Sequence, residues 1–264
     1  MNVAILIPAR FASSRYPGKP LARLCGASGC AKPLIERSWE AARKVAGVSS
    51  VAVVTDDERI ADAARAFGGE VVMTAPECRN GTERCASAVD SLGDVDLIVN
   101  FQGDALLTPP TFVEALIARM ESGDAEVATP AMRLSTREVR KLQVEEDSGR
   151  VRGTSVVIGQ QGTALYFSKR LIPYLTANAL EGEMSPVRFH VGVYAYRPSA
   201  LRRYVETPVS ELEELEGLEQ LRFLVAGVPV AVVDVEPPPY VLRELNNPQD
   251  VEAIEQALRE PGIE

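Results

Sequence analysis

Val3-Ala4-Ile5-Leu6-Ile7-Pro8-Ala9-Arg10-Phe11-Ala12-Ser13-Ser14-Arg15-Tyr16-Pro17-Gly18-Lys19-Pro20-Leu21 is the stretch on which the reading of the fold turns. Residues 3–8 are a short apolar run, read as the first strand. Residues 9–20 are small, basic and proline-rich, so the strand empties into a loop. Beyond the loop, residues 33–45 carry apolar side chains at Leu34, Ile35, Trp39, Ala42 and Val45, a helical spacing. Residues 51–55 are then a β-branched run that ends in Asp56-Asp57, a helix-start signal.

The unit repeats. Ile60, Ala63, Ala64 and Phe67 mark one helical face, and Gly68-Gly69 closes it. Residues 70–73 read as a strand, 83–92 as a helix, 96–101 as a buried strand and 110–120 as a helix. Strand–helix units joined by short connections predict an α/β fold with a mostly parallel, doubly wound sheet. Such sheets bind ligands at the carboxyl ends of their strands. The functional loops are therefore expected after Pro8, Thr55, Met73 and Phe101.

The second half changes character. Residues 127–134, 151–158, 162–167 and 190–196 read as strands with few helices between them. They predict an antiparallel β extension over about 125–200 that can serve as a subunit interface. A leucine-rich helix (Leu212, Leu215, Leu218, Leu221), a strand over 229–235 and a helix from about 248 to 258 complete the chain. Residues 144–153 and 176–185 have the least ordered look, and the whole of 1–264 reads as one domain.

A chain of 264 residues, 46% hydrophobic and 25% charged, buries a full core without disulfide or metal staples. Its net charge of −9 argues against a nucleic-acid binder or a protein spread on an anionic membrane, both of which need excess Lys and Arg. It does not argue against a small anionic substrate, which a few clustered cations can hold. Cys25, Cys30, Cys78 and Cys85 contain no C-x₂-C pair and the chain has one His, so free thiols in a reducing cytosol are expected rather than a zinc site. No run approaches the roughly 20 apolar residues of a membrane span, and the opening apolar run is too short for a signal segment. The expectation is a soluble, cytoplasmic protein.

The loop after the first strand carries the chemistry. Arg10, Arg15 and Lys19 are set among small residues and prolines. A triphosphate calls for this set: arginines grip phosphate oxygens in pairs, lysine adds a point charge, and small residues admit backbone N–H groups. It is not a Walker loop, since G-x₄-G-K-[ST] is absent. Asp104, at the carboxyl end of a strand after Gly103, can bind a metal or simply cap a turn. His190, the single His, can touch a ligand or be structural. Glu219 and Gln220 sit in the leucine-periodic segment, where a solvated face is the alternative. Tyr194 alternates with Tyr196, so that only one of them is expected to face a given pocket.

Residues 8–21 closely resemble the nucleotide-binding signature of the CTP-dependent 3-deoxy-manno-octulosonate (Kdo) cytidylyltransferases. The likeness continues in order through Val54-Thr55-Asp56, Asn80-Gly81-Thr82-Glu83-Arg84, Asn100-Phe101-Gln102-Gly103-Asp104, Ala164-Leu165-Tyr166-Phe167-Ser168, His190-Val191-Gly192-Val193-Tyr194 and Leu218-Glu219-Gln220-Leu221-Arg222. The resemblance implies a Rossmann-like nucleotidyltransferase fold, usually a homodimer, that transfers CMP from CTP to a small acid with Mg²⁺ as cofactor. It implies that Arg10, Arg15 and Lys19 hold the triphosphate, with Pro8, Ala9, Ser14, Thr55 and Asp56 around the nucleotide. It sets Asn80, Gly81, Thr82 and Arg84 beside the cytosine and Gln102 between nucleotide and acceptor. His190, Tyr194, Glu219 and Gln220 would line the acceptor pocket, and Asp104 would bind the metal. Catalysis would then rest on alignment and charge neutralisation by Arg10, Arg15, Lys19, Asp104 and Mg²⁺.

Three positions depart from the family pattern. Glu-Pro after Gln-Gly-Asp becomes Ala105-Leu106, a lysine becomes Ser155, and the Asp of Val-Asp-Thr-Pro, a metal ligand in the family, becomes Asn246. Asn246 still offers a neutral oxygen to a hard cation, with less affinity. Two acceptors stay open: Kdo or a related sugar acid, and a phosphonate such as phosphonoformate, toward which the clustered departures lean. A third reading is a CTP-binding protein without turnover.

Overall fold

In the computed structural model, which describes residues 1–13 and 15–259, the opening apolar run becomes β1 (Val3–Ala9). A hairpin of β2 (Arg23–Cys25) and β3 (Ala31–Pro33) comes next, then α1 (Leu34–Ala42), β4 (Ser50–Thr55), α2 (Glu58–Ala66), β5 (Glu70–Met73), α3 (Gly81–Ala88), β6 (Leu97–Phe101) and α4 (Pro110–Glu121). The second half holds β7 (Val127–Ser135), α5 (Thr136–Asp147), β8 (Thr154–Ile158), β9 (Ala164–Ser168), β10 (Met184–His190), β11 (Val193–Tyr196), α6 (Pro198–Glu206), α7 (Glu211–Glu216), α8 (Leu221–Val225), β12 (Val230–Val235) and α9 (Val251–Arg259).

One sheet carries the molecule, in the order β5-β4-β1-β6-β11-β7-β10-β8-β9, with β12 on the other edge of β7. β1 lies parallel between β4 and β6, Ala4 opposite Ser50 and Val3 opposite Leu97. β11 enters antiparallel between β6 and β7, and β10 and β9 also run against their neighbours. This is the expected α/β sheet with an antiparallel extension. Alternate residues of β1 serve opposite faces. Val3, Ile5 and Ile7 pack with Ile35, Val53, Val99 and Leu116, whereas Leu6 packs with Val54, Cys85, Ala88 and Ile98. Helices cover both faces, which is why the strand reads as apolar throughout.

Four parts of the second half differ from the sequence reading. α5 occupies a segment expected to be strand-flanked or irregular. Its surface is so polar that only Thr136 and Val139 are buried, which erases the apolar period. Its start was nevertheless written in the sequence: Glu138 N–H donates to Ser135 Oγ at 3.2 Å while the Glu138 carboxylate accepts from Ser135 N–H at 2.8 Å. The strand expected over 190–196 is two strands. Val191 and Gly192 carry the chain from β10, paired with β7 and β8, to β11, inserted between β6 and β7. The leucine-rich helix is also two, because Gly217 takes φ 59° and ends α7. Leu212 and Leu215 are exposed while Leu218 and Leu221 are buried, so the period marks no common face. α6 lies in a stretch to which no element was assigned, as does the β2–β3 hairpin of the first half.

The four cysteines are free, Cys85 buried and Cys30 exposed. No helix among the described residues is long and apolar enough to cross a membrane.

Candidate active site

The basic loop is folded back on its own base. Ser13 and Gly18 N–H both donate to the Phe11 carbonyl at 2.9 Å. The Phe11 ring lies 3.3 Å beneath the Arg59 guanidinium, which Asp57 holds at 2.6 and 2.9 Å. With its interior packed this way, the loop leaves Arg10 and Arg15 exposed. Lys19 crosses to the next strand end, its Nζ 2.5 Å from Asp104 Oδ2. Pro8 is half-buried and Ala9 buried at the end of β1. Ser14 lies outside the described residues.

Asp104 is brought there by a close approach. A β-carbon on Gly103 would stand 2.8 Å from the Pro8 carbonyl oxygen, so only glycine lets the β6 loop settle on the end of β1. Ser38 Oγ of α1 donates to the Gly103 carbonyl at 2.8 Å and fixes the turn. The carboxyl ends of β1 and β6 thus meet, as the sheet rule requires.

The residues expected around the base divide. Thr55 is fully buried and its Oγ1 accepts from Asp57 N–H at 3.2 Å. Arg84 is buried too, 3.2 Å from Asp56 Oδ1 and donating to Thr74 Oγ1 at 2.6 Å. Arg84 and Asp56 form an ion pair, the arginine buried and the carboxylate half-buried. Asn80 caps α3, its Oδ1 accepting from Glu83 N–H at 2.8 Å and its Nδ2 donating to Tyr204 OH at 3.0 Å. Gly81 lies against Pro8, Asn100 and Gln102. Thr82 is spent on packing: its Oγ1 meets Tyr196 OH at 2.9 Å.

Glu219 joins this helix start to the other half of the site. Its two oxygens accept from Thr82 N–H at 3.0 Å and Gln102 Nε2 at 3.1 Å. Burial raises its pKa, opposed by those hydrogen bonds. Gln220, next in the chain, is buried with Nε2 unpartnered, and Asn100, under Gly81, is buried with both amide atoms unpartnered. These orphaned groups mark a place built for polar company.

His190 sits at the end of β10, its ring edge-on to Phe167 at 5.1 Å and tilted 5.4 Å from Tyr194. Thr129 Oγ1 lies 2.9 Å from His190 Nε2, 2.8 Å from the Val193 carbonyl oxygen and 3.3 Å from the Val191 carbonyl oxygen. Burial pushes the imidazole pKa down to about 3. The lone His gives one imidazole signal, expected to show no titration between pH 5 and 9 by NMR. A midpoint near 6.5 would contradict this. The unfolded chain binds the extra proton between about 6.5 and 3, so the stability contributed by the neutral ring is complete above pH 6.5 and declines as pH falls through that window. Tyr194 is buried, and its ring stacks on Tyr196 at 5.8 Å. Residues two apart on a strand share a face, so the expectation that only one tyrosine faces a given pocket is corrected.

The cytidylyltransferase family profile matches residues 4–233. The chain belongs to the cytidylyltransferase family. It is 40% identical over 265 residues to a 3-deoxy-manno-octulosonate cytidylyltransferase from Maricaulis maris, covering 100% of this chain and 97% of that protein. It is 38% identical over 262 residues to an 8-amino-3,8-dideoxy-manno-octulosonate cytidylyltransferase from Shewanella sediminis, covering 98% and 99%. A solved CMP:2-keto-3-deoxy-manno-octonic acid synthetase complexed with CTP superposes with a TM-score of 0.84 at 35% identity, over 99% of this chain and 100% of that one.

The departures from the family pattern fall in distinct places in this cytidylyltransferase. Ala105 and Leu106 are buried, Leu106 against Leu24, Leu34 and Leu245, so that change repacks the interior. Ser155 pairs with Phe189 while Thr154 pairs with His190, which puts Ser155 on the sheet face away from His190. Asn246 lies in the segment after β12, next to the buried Leu245. Its N–H donates to Asp250 Oδ2 at 3.1 Å, and its Nδ2 reaches Glu244 Oε2 at 3.5 Å. Glu244, Thr129 and Tyr204 are parts of the site the sequence reading missed. Tyr204 and Thr129 carried no local signal, whereas Glu244 stood two residues from a flagged position.

A hard cation fits the donors here. Asp104 and Glu244 offer carboxylate oxygens, and the Lys19 ammonium stands against Asp104 as a cation does. Among the described residues no group of three or more His, Cys, Asp or Glu can hold a metal. A Mg²⁺ ion would draw its remaining ligands from phosphates and water.

Proposed function

We propose that this chain transfers the cytidylyl group of CTP to the hydroxyl of a 3-deoxy sugar acid of the Kdo kind, with release of pyrophosphate. The acceptor oxygen attacks the α-phosphorus. Arg10, Arg15 and Lys19 neutralise the triphosphate and align it with the acceptor. The start of α3, held by Asn80 and Glu219, flanks the base. Mg²⁺, at Asp104, supplies positive charge to the phosphates when bound.

One observation carries the choice of acceptor. The side chains assigned to the acceptor pocket include a neutral imidazole, His190, and a carboxylate, Glu219, both able to accept hydrogen bonds. Such a site calls for a ligand rich in O–H or N–H donors, as a polyhydroxy or amino sugar acid is. A phosphonate brings only acceptors and negative charge, which Glu219 repels. Ala105, Leu106 and Ser155 lie off this face, so they lend phosphonoformate no support. The names of the relatives at 38–40% identity agree with a sugar acid.

Pyrophosphate release tests the reading. With CTP and Mg²⁺, kcat/KM for Kdo is expected to exceed that for phosphonoformate by about 100-fold or more, because a site made to bond hydroxyls rejects a ligand without them. Equal values, or a preference for phosphonoformate, would overturn it. The β-rich extension supports a homodimer, since Leu165, Tyr174 and Met184 stand exposed on it.

A further inference from the structure

The basic loop closes at a neck, and two of its cations flank that neck. Arg10 stands just before Phe11 and Lys19 just after Gly18. Gly18 N–H donates to the Phe11 carbonyl at 2.9 Å, which joins the two ends. The Phe11 ring also packs on Gly18. A β-carbon there would stand 3.1 Å from ring carbons Cε2 and Cζ, and Gly18 takes φ 70°, so the neck needs glycine twice over. From this one point the cations go to different partners. Arg10 Nη1 donates to the Arg79 carbonyl at 3.3 Å, just ahead of α3, and Lys19 pairs with Asp104. Their spacing is therefore set by how firmly Phe11 is held.

Phe11 is held from the neighbouring strand. The Arg59 guanidinium covers its ring, with Cζ 3.3 Å from the centroid. An arginine on a surface helix is ordinarily free to swing, but this one is fastened. Asp57 accepts from Arg59 Nε at 2.9 Å and from Nη2 at 2.6 Å, a two-point grip that fixes the guanidinium plane. The same carboxylate caps α2 by accepting from Arg59 N–H at 3.0 Å. Asp57 N–H in turn donates to Oγ1 of Thr55, which is fully buried at the end of β4. The Arg59 hydrogen bonds hold the Asp57 carboxyl below its usual range, so the pair stays charged at neutral pH. A line of contacts thus runs from the end of β4 through Asp57 and Arg59 to the neck of the loop. The Arg59 side chain is 60% exposed, so it adds little to the core.

We propose that Arg59 is a positioning residue for the triphosphate: fastened by Asp57 and stacked on Phe11, it keeps the neck closed and sets Arg10 and Lys19 at the spacing the phosphates require. The inference rests on the reading that these two cations hold the phosphates of CTP. A loop ordered before the ligand arrives spends less of the binding energy on its own ordering. The Asp57 cap, which the sequence shows only as a helix start, gains a second task in the site.

Titration calorimetry with inorganic tripolyphosphate, and separately with CTP, tests this without turnover, both in the presence of Mg²⁺. Arg59→Ala is expected to weaken tripolyphosphate about three- to tenfold, the range of a stacked cation, and CTP by the same factor. Phe11→Leu keeps apolar bulk but removes the ring face, and is expected to cause a similar loss. In the Phe11→Leu background, Arg59→Ala should cost less than about twofold more, because a residue that acts through Phe11 has nothing left to act on. Phe11→Tyr, which keeps the ring, should bind as wild type. Because Arg59 is exposed, the Arg59→Ala melt is expected within about 2 °C of wild type. Wild-type tripolyphosphate affinity in Arg59→Ala, with loss in Arg10→Ala, overturns the role of Arg59 and leaves the phosphate site standing. Additive losses in the double variant overturn it too, since Arg59 then acts by its own charge. A larger loss for CTP than for tripolyphosphate in Arg59→Ala overturns it as a general loosening that reaches the base. Absence of binding of either ligand by the wild-type protein overturns both this inference and the phosphate reading beneath it.

Discussion

Lys19→Ala is expected to lower kcat/KM for CTP by about a thousandfold or more, with the fold intact. The ammonium is the one cation of the loop that already crosses to the second strand end, 2.5 Å from Asp104. In the reaction it would neutralise charge that develops on the leaving phosphates, where removal of a single preorganised group costs about 10²–10³ or more in rate. Alanine also frees Asp104 to repel the phosphates, which adds to the loss. The stability change is small for a physical reason. Both partners keep solvent contact, 19% and 17% exposed, and such pairs contribute about 0–1 kcal/mol. Tm is expected to move by no more than about 3 °C. Pyrophosphate release and a thermal melt read the two effects separately. A cooperative loss of fold with normal activity in the folded fraction would remove Lys19 from the site.

Arg222→Met is expected to do the reverse, with stability falling first. Arg222 is buried, bonded to both oxygens of Glu213 at 2.6 and 2.7 Å and to Glu83 Oε1 at 3.0 Å, and stacked 4.1 Å over Tyr204. Removing it leaves two buried or half-buried carboxylates without their cation, a loss of about 3–5 kcal/mol. For a chain of this size that lowers Tm by about 10 °C. The loss should reach the site, because Glu83 and Asn80 shape the start of α3 and Asn80 bonds Tyr204. Adding Glu213→Leu removes an orphaned charge and is expected to restore part of the stability. A melt within 2 °C of wild type for the single variant would show that the network is not held by this arginine.

Features set by nearby residues are the ones legible in the sequence. β1, β4 and β6 can be read because a strand covered on both faces is apolar along its whole length, β5 because Val71-Val72-Met73 follows the Gly68-Gly69 break, and α1, α2 and α4 because one covered face leaves a helical period. The basic loop is legible because Arg10, Arg15 and Lys19 lie within one loop. α5 escapes because it buries almost nothing, and the split at Val191-Gly192 because the expected strand began at His190, the last residue of β10, and only the sheet pairing shows the change of neighbours. In the site, Asp104 and His190 could be flagged one at a time. Their partners could not: Glu219 binds Thr82 across 137 positions and Thr129 orients His190 across 61. The Arg84 partner Asp56 also comes from another loop and could not be read locally. Glu244 was within reach, two residues from Asn246, but only the buried Leu245 between them shows which way the pair turns.

The central claim, cytidylyl transfer from CTP to a sugar acid through a pocket made of hydrogen-bond acceptors, is tested most directly by the bond that forms. The protein is incubated with CTP, Mg²⁺ and equal amounts of Kdo and phosphonoformate, and the products are read by ³¹P NMR. The expected result is a single uncoupled phosphodiester resonance appearing with pyrophosphate, as CMP joined to a sugar oxygen gives. A pair of mutually coupled resonances, from CMP joined to a phosphonate through P–O–P, or no new phosphorus bond at all, would contradict the account.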